Sequence, residues 1–226
     1  LAQCNWERPL YVATTVGSDN YMNLGDNFVQ EGLAYRITPF NTKAPGAKNF
    51  DTEKVYNNVM NRFKWGGLDK PGLYIDETVM RMCYTHRHLL AQLAMQLIAE
   101  GQNAKAEKVL RKAEKVLPEY NVPYTFLSGA ADMARAYALI GKKADAARIL
   151  NKVWADAKSY ADYYLQLTGS RFMMSQNDVL RQLYIMQNIA DITQVCDHSL
   201  ADQRLKTVNA LYAVYQAKGG APYDGE

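Results

Sequence analysis

The apolar and polar positions divide the chain into a short strand-rich start and a long helical remainder. Residues 10–16 and 33–38 are rich in β-branched and aromatic side chains, and each run stops at a glycine or a proline, which predicts two strands. Residues 20–31 between them predict a short helix, with Ser18 or Asp19 as its cap. Because two strands alone are marginally stable, we expect this pair to lean on the helices.

The chain after residue 50 shows the spacing of amphipathic helices. Asp51 is expected to cap a helix whose Val55, Val59 and Phe63 lie on one face at intervals of four residues. The residues after Asp76 are predicted to be helical almost to the end of the chain.

Two stretches of the helical part share a spacing that is typical of tetratricopeptide helix pairs. The first copy comprises Leu93, Ala94, Leu97, Gly101, Ala106, Leu110, Ala113 and Pro118. The second copy follows 40 residues later, at Met133, Ala134, Tyr137, Gly141, Ala146 and Leu150. Small residues suit the close crossing of two antiparallel helices, and glycine suits the tight turn between them. The sequence therefore predicts a mainly α fold of tetratricopeptide-like antiparallel helix pairs, an α-α superhelix, with a small N-terminal β-strand pair.

A third helix pair is expected near the C-terminus, although it lacks this signature. Ser199 with Asp202 resembles a capping box for the last helix. The helix before it carries an apolar face formed by Val179, Leu183, Met186 and Ala190.

These patterns predict three regions along the chain. Residues 1–50 form a strand-helix-strand subdomain packed on the helices, and residues 51–218 form the helical-repeat domain. Residues 219–226 form a flexible tail.

Composition and charge narrow the function classes. Hydrophobic residues make up 48% of the 226 residues, which is enough for a sizeable core. The net charge is only +3, and Glu107 and Glu114 interrupt the lysines around them, so no basic stripe of the kind that binds nucleic acid is present. No apolar run reaches the roughly 18–20 residues that a membrane-spanning helix needs.

The candidate chemistry is sparse. The three cysteines, Cys4, Cys83 and Cys196, are widely spaced and form no CxxC pair. His86 and His88 are two residues apart, so a helix points them in different directions and they cannot share a metal ion. No P-loop, dinucleotide, GxSxG or HExxH motif occurs. We therefore expect no catalytic residue, no metal site and no cofactor, and interpret the chain as a binding module and not an enzyme.

Aromatic residues offer a different chemistry. Tyrosine is abundant, with 16 copies, and Tyr160, Tyr163 and Tyr164 cluster beyond the second helix pair. Exposed aromatic faces suit sugars and peptides, whereas tyrosines at helical spacing also form cores and groove walls.

The N-terminal motifs and the repeat together resemble the C-terminal region of the DUF2723 family. The motifs that carry this resemblance are Trp6-x-Arg8-Pro9-x-Tyr11, residues 30–36 (Gln-Glu-Gly-Leu-Ala-Tyr-Arg) and residues 63–67 (Phe-x-Trp-Gly-Gly). Members of that family are polytopic, protein O-mannosyltransferase-like membrane proteins of Bacteroidetes. The resemblance implies that the chain is a soluble tail on the periplasmic face of the inner membrane, covalently joined to a transmembrane portion. It carries over no catalytic residue.

The leading hypothesis from the sequence is a protein-interaction tail that recruits acceptor proteins or partner subunits. Tetratricopeptide arrays bind peptides along the face formed by the first helix of each pair. The residues expected on that face are His88, Ala91, Met95, Ile98, Ala131, Arg135 and Ala138. Two alternatives stay open: a carbohydrate-binding module that holds a glycan, and a structural brace for the transmembrane portion.

Overall fold

The computed structural model describes residues 2–221, which contain eight α-helices and a three-stranded sheet. The strands are β1 (Tyr11–Ala13), β2 (Phe28–Gln30) and β3 (Ala34–Ile37). The helices are α1 (Thr52–Asn57), α2 (Glu77–Ala99), α3 (Asn103–Val116), α4 (Ala130–Leu139), α5 (Lys143–Gln166), α6 (Gly169–Met174), α7 (Gln176–Gln194) and α8 (His198–Ala217). The predicted mainly α fold with a small N-terminal sheet is confirmed.

The N-terminal sheet has the strand order β1-β3-β2, and both pairings are antiparallel. The two predicted strands do pair, with Val12 opposite Tyr35. The predicted helix over residues 20–31 is wrong, because this segment forms 3-10 turns and then β2. Met22 and Asn23 have φ angles of 50° and 60°, which a right-handed helix does not allow. The subdomain is therefore strand-turn-strand-strand.

The predicted helix cap at Asp51 is confirmed, and the helix predicted after Asp76 begins at Glu77 with Asp76 as its cap. The carboxylate of Asp51 accepts a hydrogen bond from the backbone N–H of Lys54 at 3.0 Å, and that of Asp76 from Val79 at 2.9 Å. The third predicted helix pair is present as α7 and α8. Its last helix begins two residues earlier than predicted, since the capping side chain is Asp197 and not Ser199.

Two glycine turns join the first four long helices into two hairpins. Gly101 between α2 and α3 has a φ of 74°, and Gly141 between α4 and α5 has a φ of 79°. In each turn the residue after the glycine donates a backbone hydrogen bond to the carbonyl five residues before it, from Gln102 to Leu97 at 2.7 Å and from Lys142 to Tyr137 at 2.8 Å. Such Schellman-type closures need a left-handed residue, which glycine provides without strain.

The helices pack in a continuous row. Helix α2 contacts α3 and α4, α5 contacts α4 and α7, and α7 contacts α8. One apolar core extends from Phe50 and α1 through the hairpins to α7 and α8. A smaller cluster joins the C-terminal ends of α5 and α8 around Phe172 and Tyr215. Of the predicted tail, residue 219 belongs to a turn with residue 218, residues 220 and 221 are irregular, and residues 222–226 lie outside the described residues.

Candidate ligand-binding pocket

A cavity of about 280 Å³ lies at the N-terminal end of α4. Four parts of the chain form its walls: α2, the turn before α4, the second half of α5 and the first half of α7. We call this cavity the aromatic pocket. Its lining residues are Tyr84, Thr125, Phe126, Leu127, Asp156, Ala157, Tyr160, Tyr164, Asp178, Arg181, Gln182 and Ile185.

The aromatic pocket exists because two neighbouring helices differ in length. Helix α4 has 10 residues and its hairpin partner α5 has 24, so α5 extends roughly 20 Å beyond it at about 1.5 Å per residue. Gly129, with a φ of 74°, separates α4 from a 3-10 turn at Phe126–Ser128. A short turn and not a helix therefore lies against the second half of α5, which leaves a hollow.

Hydrogen bonds hold this turn in place from both sides. Within it, the Thr125 backbone N–H donates to Ser128 Oγ at 3.1 Å, and that hydroxyl donates to the Thr125 carbonyl at 2.8 Å. From α2, Arg87 donates to the Ser128 carbonyl at 3.4 Å, and His88 Nε2 lies 3.1 Å from the Leu127 carbonyl. The pocket wall formed by the turn is therefore tied to α2.

Two carboxylates and one guanidinium line the pocket. Asp156 of α5 and Asp178 of α7 are half-buried, and Arg181 is exposed. Burial raises the pKa of the Asp156 carboxyl. None of the three side chains makes an ion pair within 4.0 Å with any residue from 2 to 221. The formal charge of the pocket lining is therefore −1, and none of its three charged side chains is paired within the described part of the chain.

Tyrosine rings form the apolar part of the pocket. The rings of Tyr160 and Tyr164 are 6.4 Å apart at an interplanar angle of 24°, and Tyr163 packs edge-on against Tyr164 at 5.4 Å. Burial raises the pKa of Tyr164, and the nearby charge of Asp178 raises it further. These groups supply stacking surfaces, hydrogen-bond acceptors and charge within one cavity.

The residues of the predicted groove lie on α2 and α4, which pack side by side. Three of them, Ala91, Ala131 and Ala138, are at most 5% exposed, because small side chains occupy the contact between helices. The other four present more surface, with His88 and Arg135 exposed and Met95 and Ile98 half-buried. The groove assignment stays a prediction, and the aromatic pocket is separate from it apart from the contact of His88 with the turn.

The tyrosine cluster was the part of this pocket that the sequence indicated. Tyr160 and Tyr164 stood out because they are close together along the chain. Tyr84, Asp156 and Asp178 were missed, since nothing in their local pattern differs from an ordinary helix surface. Their proximity depends on the packing of α2, α5 and α7, for which the sequence alone contains no spacing signal.

A second polar cluster lies in the N-terminal sheet around Glu31. The Glu31 carboxylate is almost fully buried and accepts hydrogen bonds from Tyr11 at 2.9 Å and Arg36 at 2.6 Å, while Lys54 lies at 2.9 Å. Burial opposes its ionisation, but the hydrogen bonds from Lys54, Tyr11 and Arg36 outweigh this effect and lower its pKa. The cluster joins β1, β3 and α1. Because the carboxylate is already fully partnered, it has no free acceptor to offer a ligand.

The sequence motifs considered for catalysis or metals are dispersed in the structure. Burial raises the pKa of the Cys83 thiol, and it also raises the pKa of the Cys196 thiol. Within residues 2–221 no three histidine, cysteine, aspartate or glutamate side chains gather as metal ligands do. His86 donates a hydrogen bond from Nδ1 to the Met82 carbonyl and packs against Trp65.

Comparison with known families places a likeness in the N-terminal part of the chain. Residues 1–57 match the family described as TMEM260-associated domain 2. The match covers 57 of 226 residues and ends at the last residue of α1. No curated protein matches the chain. No solved structure matches it either.

The resemblance to the DUF2723 family is corrected by this comparison, as is the assignment of tetratricopeptide repeats. The matching family is TMEM260-associated domain 2, and nothing supports the other two. Small residues at helix crossings and glycine at tight turns are general needs of helical hairpins, so their spacing is not specific to one repeat family. The periplasmic location depended on the same resemblance and stays a prediction. Among residues 2–221, no helix has the length and apolar character to cross a bilayer.

Proposed function

We propose that this chain is a protein-interaction module that binds a peptide segment of a partner and anchors it in the aromatic pocket. The observation that carries the proposal is the pocket itself, whose walls come from α2, α5, α7 and the turn before α4. Aromatic-lined pockets with a few polar groups are the usual anchoring points of protein interfaces.

The size of the pocket supports a peptide side chain as the occupant. Drug-sized ligands occupy cavities of about 300–1,000 Å³, and the aromatic pocket, at about 280 Å³, lies just below that range. It suits one large side chain whose backbone continues over the rim. Tyr160 and Leu127, each more than half exposed, lie at the rim and are available to contact that backbone.

The test is a selection of peptides from a random display library on the full chain, followed by binding measurements with variants. Tyr160→Ala is expected to weaken the selected peptides by about 10-fold or more, since truncation of an anchoring aromatic costs about 2 kcal/mol. Tyr184→Ala is the matched control, because Tyr184 lies on α7 outside the pocket and is similarly exposed. Equal affinities for both variants would rule out the aromatic pocket as the anchor.

A carbohydrate is the second candidate, favoured by the nearly parallel rings of Tyr160 and Tyr164. Flat aromatic faces stack on sugar rings, and Asp156 and Gln182 offer hydrogen-bonding groups beside them. Isothermal titration of the full chain with mannose-type oligosaccharides measures this directly. Heat that is lost in Tyr160→Ala and kept in Tyr184→Ala would favour the glycan over the peptide, and the absence of heat at millimolar sugar would remove it.

A further inference from the structure

The charges of the aromatic pocket indicate which side chain it accepts. Asp156 and Asp178 enter it from two different helices, whereas Arg181 is the one basic group among its lining residues. Asp178 and Arg181 are three residues apart on α7, yet their charged atoms are more than 4.0 Å apart. Neither carboxylate therefore forms an ion pair with Arg181, the one basic side chain of the pocket.

Asp156 is the more informative of the two carboxylates. It is half-buried and forms no ion pair with any residue that the structure describes, and burial alone raises the pKa of its carboxyl. A carboxylate in this position loses hydration without gaining a donor, so an arriving cation with N–H groups relieves an existing deficit. An apolar or anionic group leaves that deficit in place, and a neutral donor leaves the charge unbalanced.

The aromatic walls favour the same kind of occupant. A cation positioned over a tyrosine or phenylalanine face within about 6 Å of its centroid is attracted by the ring. Residues 2–221 already contain five such contacts, among them Arg87 over Tyr124, Arg111 over Tyr137 and Arg204 over Trp154 at 5.0–5.1 Å. The aromatic pocket offers rings at Tyr84, Phe126, Tyr160 and Tyr164 with no cation stacked on any of them among residues 2–221.

We propose that the aromatic pocket selects a basic side chain, a lysine or an arginine, of the partner peptide. The aliphatic stem of that side chain packs between the tyrosine rings, and its charged end reaches Asp156 and Asp178. This inference rests on the proposed peptide-binding function and adds the chemical class of the residue that is bound. Arg181 at the rim disfavours a second positive charge next to the first.

The experiment uses the peptides selected on the full chain and measures their affinities by fluorescence polarisation. Enrichment of lysine or arginine at one position is expected, and norleucine at that position should weaken binding by about 10-fold, since it keeps the stem and removes the charge. Asp156→Asn and Asp178→Asn should each weaken binding about 5-fold, whereas Arg181→Gln should strengthen it. Asp162→Asn is the control, because Asp162 lies on the same helix outside the pocket, paired with Lys158 at 2.6 Å.

The outcomes separate this inference from the function on which it rests. Peptides that depend on Tyr160 but bind equally well with norleucine would overturn the basic-side-chain inference alone. Weaker binding by Arg181→Gln would also overturn it, because that result assigns the pocket to an anionic group. A library that yields no peptide sensitive to Tyr160→Ala would overturn both proposals. Thermal unfolding of each variant confirms that it is folded before its affinity is compared.

Discussion

Arg87 places a positive charge inside the protein without a carboxylate within 4.0 Å among the described residues. It is completely buried, and its guanidinium donates to four backbone carbonyls, those of Leu117, Val122, Pro123 and Ser128, at 2.6–3.4 Å. Tyr124 lies beneath the guanidinium at 5.0 Å. Burial lowers the pKa of Arg87 to about 10, which leaves the group charged at neutral pH. Carbonyl dipoles therefore solvate this cation in place of water.

Arg87→Met is expected to lower the free energy of unfolding by about 3 kcal/mol, because it leaves several buried carbonyls without donors. Urea unfolding followed by circular dichroism measures the change. Arg81→Met is the control, since Arg81 lies on the same helix, is exposed and pairs only with Glu77; its effect should be about 0.5 kcal/mol or less. Similar losses for the two variants would show that the four carbonyl contacts contribute no more than a surface pair.

His88 gives the fold a dependence on pH with a definite sign. A hydrogen bond to Asp132 raises its pKa, burial opposes this, and the Leu127 carbonyl raises it further. Because the folded-state pKa exceeds that of the unfolded chain, the resulting stabilisation is fully present below the unfolded pKa. It is lost as the pH rises through the folded pKa.

The stability difference between the wild type and His88→Gln should therefore shrink as the pH rises from about 5.5 to about 8.5. The side chains of His88 and Asp132 are both about half exposed. Solvent screening therefore limits the effect on the free energy of unfolding to less than about 1 kcal/mol. Urea unfolding at several pH values provides the measurement. Asp132→Asn should remove most of the pH dependence while His88 is kept, and an unchanged slope in that variant would assign the effect to another group.

At the scale of single elements, the two hairpin turns depend on left-handed glycines. A Cβ on Gly101 or Gly141 would meet no atom within 4 Å, so the whole cost of alanine there is conformational. Each substitution should lower the free energy of unfolding by about 1–2 kcal/mol, as a left-handed residue with a side chain is strained by that amount. Gly17→Ala is the control, because Gly17 has a φ of −66° and space for a methyl group. Thermal unfolding should rank it as neutral or slightly stabilising.

The elements that the sequence predicted correctly are those with a local cause. Asp51 and Asp76 cap helices through their own side chains, and Gly101 and Gly141 end them through their own backbone angles. The segment of residues 20–31 was misread because β2 is three residues long, too short for an alternating pattern to appear. Its strand character comes from pairing with β3, which is a non-local interaction.

The pocket follows the same division between local and non-local causes. Phe126–Ser128 forms a 3-10 turn in the part of the chain that the sequence predicted to be helical, and its position depends on Arg87, 41 residues away from Ser128. No spacing along the chain indicates that contact. The sequence therefore predicted the helices that carry the site but not the hollow between them.

At the scale of the whole molecule, the segment that matches a known family is not a separate unit. Phe50 and Val55 fall within residues 1–57, yet both lie in the same apolar core as the helices of the hairpins. The boundary of the family likeness thus crosses a continuous core. We expect the N-terminal sheet and the helices to unfold together.

Phe50→Ala should lower the free energy of unfolding by about 3–5 kcal/mol. It should also speed hydrogen exchange in β3 and α2 by the same factor, because one core supports both. Phe40→Ala is the matched control, since Phe40 is 73% exposed and Phe50 only 4%. Faster exchange in β3 with an unchanged rate in α2 would mean that the two parts open independently.

The four carbonyls that surround Arg87 also have a consequence for synthesis of the chain on the ribosome. Arg87 leaves the peptidyl-transferase centre well before its last acceptor, Ser128, which follows it by 41 residues. At about 5–20 residues per second, that interval lasts roughly 2–8 seconds. Until it ends, burial of α2 would strand an unsolvated cation, so α2 stays open to water and to chaperones. The N-terminal segment is translated first. It therefore completes its folding only after the first hairpin and the turn that follows it have emerged.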